Sequence, residues 1–188
     1  MIDRRAAVRA LLADRGQLIC VAGLGGTAWD VAAAGDSDLD LPLWGAMGGA
    51  AMLGLGLALA QPDRPVLVVT GDGEQLMALG ALATIAAARP ANLSVAVLDN
   101  ERYGETGSQV THTALGTDLA AVAAGCGFAD ARTVRDLAGV DQLRTAVHAL
   151  AGPVFAAVKI TADRPPLVLP PRDGPLLARR LRSALGVG

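Results

Sequence analysis

The sequence predicts an α/β fold, a doubly wound parallel sheet with helices on both faces. Three observations carry that reading. Residues 66–70 (VLVVT) and 93–98 (LSVAVL) are almost unbroken apolar runs rich in β-branched side chains, the pattern of central parallel strands covered on both faces. Stretches of helical length separate such runs, and strands that alternate with helices imply crossover connections. Hydrophobic residues make up 52% of the chain and aromatics only 3%, so the core must be assembled from Ala, Val, Leu and Ile with glycines between them. At 188 residues the chain is sized for one domain, 1–188, with a Pro-rich tail over 161–188.

Residues 3–15 read as a helix ended by Gly16, and 18–22 as a short buried strand running into Gly23-Leu24-Gly25-Gly26. A second helix is expected near Thr27. After the acidic turn 35–38, residues 41–44 lead into a Gly/Ala helix over 46–60, which Gln61-Pro62-Asp63 ends. The strand 66–70, a helix over 74–88 and the strand 93–98 follow. Residues 100–113 (NERYGETGSQVTHT) show no apolar period, and a loop of that length in a compact domain usually serves function. A helix near 117–125, a strand near Phe128, a helix over 137–150 and a strand over 153–160 complete the sheet. A Pro-rich passage at 165–175, expected to lie on a partner, precedes a last helix near 176–185.

With 16 basic and 18 acidic side chains and no basic cluster, the chain is expected to bind no nucleic acid and to act on a small molecule. The Gly-rich run 45–60 is shorter than the roughly 20 apolar residues that span a bilayer, so no membrane association is expected. Asp14 and Arg15 interrupt what would be the apolar stretch of a signal peptide, which points to a cytoplasmic location. Cys20 and Cys126 stand far apart without a CxxC or His partner and read as reduced core thiols.

The chemistry concentrates at Gly71-Asp72-Gly73, directly after one predicted strand and before a helix. That position is the carboxyl edge of the sheet, where α/β proteins bind ligands. The glycines let a phosphate approach the backbone, the helix start offers free N–H groups, and Asp72 is a hard oxygen donor suited to Mg²⁺. The next strand ends at Asp99-Asn100, and one crossover brings Asn100 to the same edge.

A GDG followed by a helix, a strand and then an Asn resembles the signature of thiamine-diphosphate enzymes. The resemblance implies the thiamine-diphosphate-binding fold, with thiamine diphosphate and Mg²⁺ as cofactors. Asp72, Asn100 and the backbone carbonyl of Arg102 would be the metal ligands. Cofactor contacts are implied for Gly71, Asp72, Gly73, Glu74, Asn100, Arg102, Tyr103 and Gly104. Upstream, Trp44-Gly45-Ala46-Met47-Gly48-Gly49 resembles the family segment that holds the aminopyrimidine. On that match the Gly45 carbonyl accepts from the 4′-amino group, Ala46 lies beside it, and Met47 is the wedge that bends the cofactor. Gly25, Gly26 and Thr27 match the loop that touches the diphosphate. The segment 23–28 also fits the dinucleotide fingerprint G-x-G-x-x-G/A, but the acidic residue expected about 20 positions on is missing.

The polar loop bears on substrate. Arg102, Gln109, Thr111 and His112 are candidates to hydrogen-bond an anionic group, and His112 is the candidate catalytic residue, placed to stabilise developing charge. His148 lies in a helical setting and reads as structural.

The resemblance runs from about Leu18 to Lys159 and is to the β subunit of sulfopyruvate decarboxylase and the matching half of phosphonopyruvate decarboxylase. It implies a subunit of a non-oxidative 2-oxo acid decarboxylase acting on a small anionic substrate. A pyrimidine-binding partner subunit would supply the catalytic glutamate, and self-association into a hetero-oligomer is expected. Acetolactate synthase-like carboligation and 2-oxo acid oxidation stay open as alternatives, as does a non-catalytic cofactor-binding or dimerisation module. The family commonly has two asparagines where this chain has Asp99-Asn100, and Glu74 stands where a small residue is frequent. Glu74 brings a negative charge toward the diphosphate, so its carboxylate is expected to turn away.

Overall fold

A computed structural model describes residues 1–187. The chain runs α1 (Arg4–Leu11), β1 (Ile19–Ala22), α2 (Gly26–Ala34), β2 (Asp40–Pro42), α3 (Ala50–Ala60), β3 (Val66–Gly71), α4 (Asp72–Met77), α5 (Leu79–Ala88) and β4 (Leu93–Asp99). A small hairpin of β5 (Arg102–Tyr103) and β6 (Gln109–Val110) follows, then a 3-10 turn at His112–Leu115, α6 (Leu119–Cys126), β7 (Asp130–Val134), α7 (Leu137–His148), β8 (Val154–Lys159) and α8 (Gly174–Leu185). Four helix starts are fixed by aspartates at the N-cap: Asp3, Asp118, Asp136 and Asp173 each accept from backbone N–H groups of the first turn.

Six strands form one parallel sheet in the order β2-β1-β3-β4-β8-β7. Alternation along each strand sends side chains to two cores. Leu67, Val69, Ala96 and Leu98 meet α1, α2 and α7 on one face, while Val66, Val68, Leu93, Val95 and Val97 meet α3, α5 and α6 on the other. The doubly wound arrangement expected from the sequence is therefore the observed one. Its topological switch lies between β1 and β3, because the chain leaves β1 toward one edge and β3 toward the other.

Several boundaries differ from expectation, each for a local reason. The Gly/Ala helix begins at Ala50, because Ala46 (φ 55°) and Gly48 (φ 91°) take left-handed backbone and hold 45–49 as a loop. The single helix expected over 74–88 is two helices broken at Ala78 (φ −119°, ψ 38°), and the first begins at Asp72. Asp72 and Gly73 thus form a helical first turn. The strand expected near Phe128 starts at Asp130, and the Phe128 ring instead meets Phe155 edge-on at 6.1 Å.

The Pro-rich passage, expected on a partner, lies across this chain. Trp44 Nε1 donates to the Pro171 carbonyl at 2.8 Å, the Arg172 guanidinium stands 4.6 Å over the Trp44 ring, and Arg5 donates to the Pro166 carbonyl. The last helix is seated by buried Leu177 and Leu181 and by Arg180, which pairs with Asp36 and Asp38. Among the described residues, no helix is long and apolar enough to cross a membrane.

Candidate functional site

Parallel pairing sets Gly71 opposite Leu98, so Asp72 and the pair Asp99-Asn100 leave neighbouring strands at the same edge. Asp72 and Asn100 border one cleft of about 110 Å³, which Leu24, Gly26, Thr27, Met47, Gly71, Gly73, Glu74, Arg102, Tyr103 and Gly104 also line. A larger cavity of about 380 Å³ adjoins it and shares Gly26, Asn100, Arg102 and Gly104.

Behind Asp72, on one wall of the cleft, runs a hydrogen-bond network of which Asp72 alone lines the cleft, while Asp99, Thr113 and Lys159 line a separate pocket of about 160 Å³. Thr111 Oγ1 donates to Asp72 Oδ2 at 2.6 Å, Thr113 Oγ1 donates to Asp99 Oδ1 at 2.8 Å, and the two hydroxyls lie 2.8 Å apart. Lys159, which pairs in register with Asp99, reaches Asp99 Oδ2 at 2.7 Å and Glu101 Oε1 at 2.9 Å. Burial disfavours the lysine's charge, but the two carboxylates outweigh it and hold the Lys159 pKa above its ordinary value. The extra charge of Asp99 is therefore balanced inside the fold.

Among the described residues Asp72 pairs with no such cation. Its burial, with the Asp99 charge nearby, pushes its pKa up to about 6 against the opposing threonine hydroxyls. The Asp72 carboxylate lines the same cleft as Asn100 and Arg102, and a carboxylate with an amide oxygen and a backbone carbonyl is a donor set that fits a hard divalent ion. Asn100 Oδ1 accepts from the Arg102 N–H at 3.0 Å, which fixes the amide, and an amide oxygen keeps a second lone pair for a cation. Among the described residues no three His, Cys, Asp or Glu side chains gather closely enough to hold a metal, so any cation here takes mixed oxygen donors.

The other wall, at Leu24, Gly26 and Thr27, is set by the turn of the backbone out of β1. Gly25 (φ 74°) turns the chain from β1 into α2, a conformation that L side chains rarely adopt. Glu74 is buried with its carboxylate split between two loops: Oε2 accepts from the Leu24 N–H at 3.0 Å and Oε1 from the Gly48 N–H at 3.2 Å. Both oxygens thus accept from the backbone of those loops, although Glu74 still lines the cleft. Gly73 has no room for a side chain, since a Cβ there would lie 2.8 Å from the Tyr103 ring.

The structure gathers most of the residues singled out in the sequence around this cleft, but Gly25, Gly45 and Ala46 are not among its lining. Met47 is the member of the Gly45-Ala46-Met47 segment that lines it, and it is 39% exposed. His112 is exposed outside the lining, with Nδ1 3.1 Å from the hydroxyl of Tyr103, which does line it. Thr111, read as an anion donor, spends its hydroxyl on Asp72, and Gln109 bonds Thr106 within its own hairpin. Thr113 and Lys159 were not anticipated. A lysine ending an otherwise apolar strand was the available signal for Lys159; no sequence pattern marked Thr113.

A cleft at the switch point of a doubly wound sheet, with hard oxygen donors on one wall and glycine loops on the other, defines a phosphate-cofactor-binding α/β domain. The sequence matches the family described as thiamine pyrophosphate enzyme, C-terminal TPP binding domain, over residues 31–160, and the chain belongs to that family. It is 43% identical to phosphonopyruvate decarboxylase of Streptomyces hygroscopicus over 93% of this chain and 41% of that protein, so the chain spans about two fifths of that relative. It is 39% identical to sulfopyruvate decarboxylase subunit beta of Methanothermobacter thermautotrophicus, over 85% of this chain and 83% of that subunit. The fold is similar to part of benzoylformate decarboxylase from Polynucleobacter necessarius, with a TM-score of 0.69 at 20% identity over 87% of this chain and 34% of that one.

Proposed function

We propose that this chain is the diphosphate-binding half of a thiamine-diphosphate-dependent decarboxylase of a small 2-oxo acid with an anionic tail, of the sulfopyruvate or phosphonopyruvate kind. One observation carries the reading. Asp72 and Asn100 stand at the tips of adjacent, registered strands and border the cleft that Met47, Gly26 and Thr27 also line. The names of the relatives, a phosphonopyruvate decarboxylase and a sulfopyruvate decarboxylase subunit beta, support the substrate class.

In this reading Asp72, the Asn100 amide oxygen and the Arg102 carbonyl hold Mg²⁺. Asp72 Oδ2 is occupied by threonine hydroxyls, which leaves Oδ1 for the ion. Gly71, Gly73, Gly25, Gly26 and Thr27 present backbone to the diphosphate, and Glu74 acts by fixing the loops. Gly45, Ala46 and Met47 seat the aminopyrimidine, Met47 from below. Tyr103 and Gly104 close the cleft from the hairpin, and the Tyr103 hydroxyl positions His112 near the substrate. The cofactor supplies a carbon nucleophile and an electron sink for decarboxylation. A pyrimidine-binding partner subunit supplies the activating glutamate, in a cytoplasmic hetero-oligomer.

The test is co-expression with a candidate pyrimidine-binding subunit, followed by CO₂ release from sulfopyruvate, phosphonopyruvate and pyruvate. Release is expected from one of the two anionic-tail substrates, dependent on thiamine diphosphate and Mg²⁺. A complex that binds the cofactor yet releases CO₂ from none of the three would overturn the decarboxylase reading.

A further inference from the structure

Arg4 lies outside the segment that matches the family, in the first turn of α1, yet its side chain reaches the cleft. Its Nε donates to Asp30 Oδ2 at 2.6 Å, and the side chains are 11% and 1% exposed. Asp30 projects from α2, so the contact anchors the guanidinium to the helix that begins at Gly26. The guanidinium lies directly over Gly26: a side chain there would collide with Arg4 Nη2. Among the described residues, neither Nη atom of Arg4 donates to a protein acceptor; its recorded bond is through Nε. Arg4 lines both cavities and stands where they join.

The Arg4 Nη atoms are not among the buried polar atoms that lack a partner, so they stay open to the cavity solvent, where a ligand oxygen can take the place of water. Here the donors face a glycine at a helix start, where an anion is already favoured by free backbone N–H groups. Charge points the same way. Asp72, Glu105 and a diphosphate together carry more negative charge than one divalent ion offsets, and Lys159 is committed to Asp99 and Glu101. The cations that line both cavities are Arg4, which is anchored by Asp30, and Arg102, which is not anchored among the described residues. We propose that Arg4, held in place by Asp30, binds the terminal phosphate of the cofactor's diphosphate through its Nη donors. The metal then grips the diphosphate from the strand tips and Arg4 from the α1 side.

This inference rests on the cofactor reading above, and inorganic pyrophosphate separates the two. The full chain, with and without its pyrimidine-binding partner, is titrated with thiamine diphosphate, thiamine monophosphate and pyrophosphate in Mg²⁺. Quenching of Trp29, which lines the larger cavity, is one readout and calorimetry the other. Arg4→Met is expected to weaken thiamine diphosphate and pyrophosphate by about tenfold to a hundredfold, the range of a lost charge-assisted hydrogen bond, while thiamine monophosphate changes little. Arg4→Lys should recover part of the loss. Arg5→Met, which removes a second cation near Asp30 without touching the smaller cleft, should leave all three affinities unchanged.

Arg4→Met that weakens diphosphate and monophosphate equally, or neither, overturns the proposal; thermal unfolding shows whether an equal loss reflects a damaged fold. Wild-type protein that binds pyrophosphate through Arg4 but refuses thiamine diphosphate would sink the cofactor reading and leave the anion site standing. Wild-type protein that binds neither ligand overturns both.

Discussion

The two walls of the cleft are built by different means. The β3–β4 wall is backed by a chain of side chains that runs from Asp72, which lines the cleft, through Thr111, Thr113 and Asp99 to Lys159. The β1–α3 wall is backbone, two glycine-bearing loops tied together by the single carboxylate of Glu74. A side-chain wall fails when a functional group is changed. A backbone wall fails when its one brace is removed. Substitutions on the two sides should therefore separate loss of binding from loss of shape.

The largest effect is expected on the side-chain wall. Asp72→Ala should abolish Mg²⁺-dependent thiamine diphosphate binding while the fold persists, because a metal site that loses its anionic ligand loses its charge match. Calorimetry on the assembled complex checks this, and retained affinity would end the assignment of Asp72 as a ligand. Glu74→Ala should do the reverse, lowering stability first. It strands the Leu24 and Gly48 N–H groups, each bonded to a buried carboxylate, at a cost of about 2–4 kcal/mol in urea unfolding. A loss below about 1 kcal/mol would mean that the loops hold without the brace.

Lys159→Met probes the far end of the network. Removing one member of a buried pair leaves the other charge uncompensated, so a loss of about 3 kcal/mol is expected. Asp99→Asn in the same chain should recover most of it, since no charge is then stranded. A double variant as unstable as Lys159→Met alone would show that the lysine acts through Glu101 or through packing. Thr111→Val, which keeps shape and deletes the hydroxyl, should cost only about 1 kcal/mol of stability and weaken Mg²⁺ retention modestly.

The sequence made the backbone wall more legible in position than in mechanism. The strands 66–70 and 93–98 were visible because both faces are covered and their residues are apolar almost without interruption. The glycines at 25, 26, 71 and 73 marked where a phosphate could approach. Glu74 was legible only as a charge in the wrong place, because its partners are main-chain N–H groups 50 and 26 residues upstream and no side-chain pattern announces them. The network on the other wall was half visible for a related reason. Asp72 and Asn100 stood out by spacing, but Thr113 and Lys159 meet Asp99 through the hairpin and the β4–β8 pairing, which are tertiary facts. The break at Ala78 escaped because Leu76, Met77, Ala78 and Leu79 all suit a continuous helix, whereas the loop at 45–49 had a signal in Gly45, Gly48 and Gly49, which a helix interior disfavours.

The smallest effect sharpens the contrast within a single residue. Arg102 has its amide N–H engaged by Asn100 Oδ1, its carbonyl assigned to the metal, and an exposed side chain that makes no hydrogen bond among the described residues. If the metal reads only its backbone, Arg102→Gln should leave the Mg²⁺ concentration needed for half-saturation with thiamine diphosphate within about a factor of two, the range of a surface substitution. Arg102→Pro removes the N–H that fixes Asn100 and should raise that concentration severalfold although the carbonyl is retained. Equal effects from the two variants would show that the guanidinium, rather than the turn, serves the site, and would move Arg102 from the backbone wall's logic to that of the side chains.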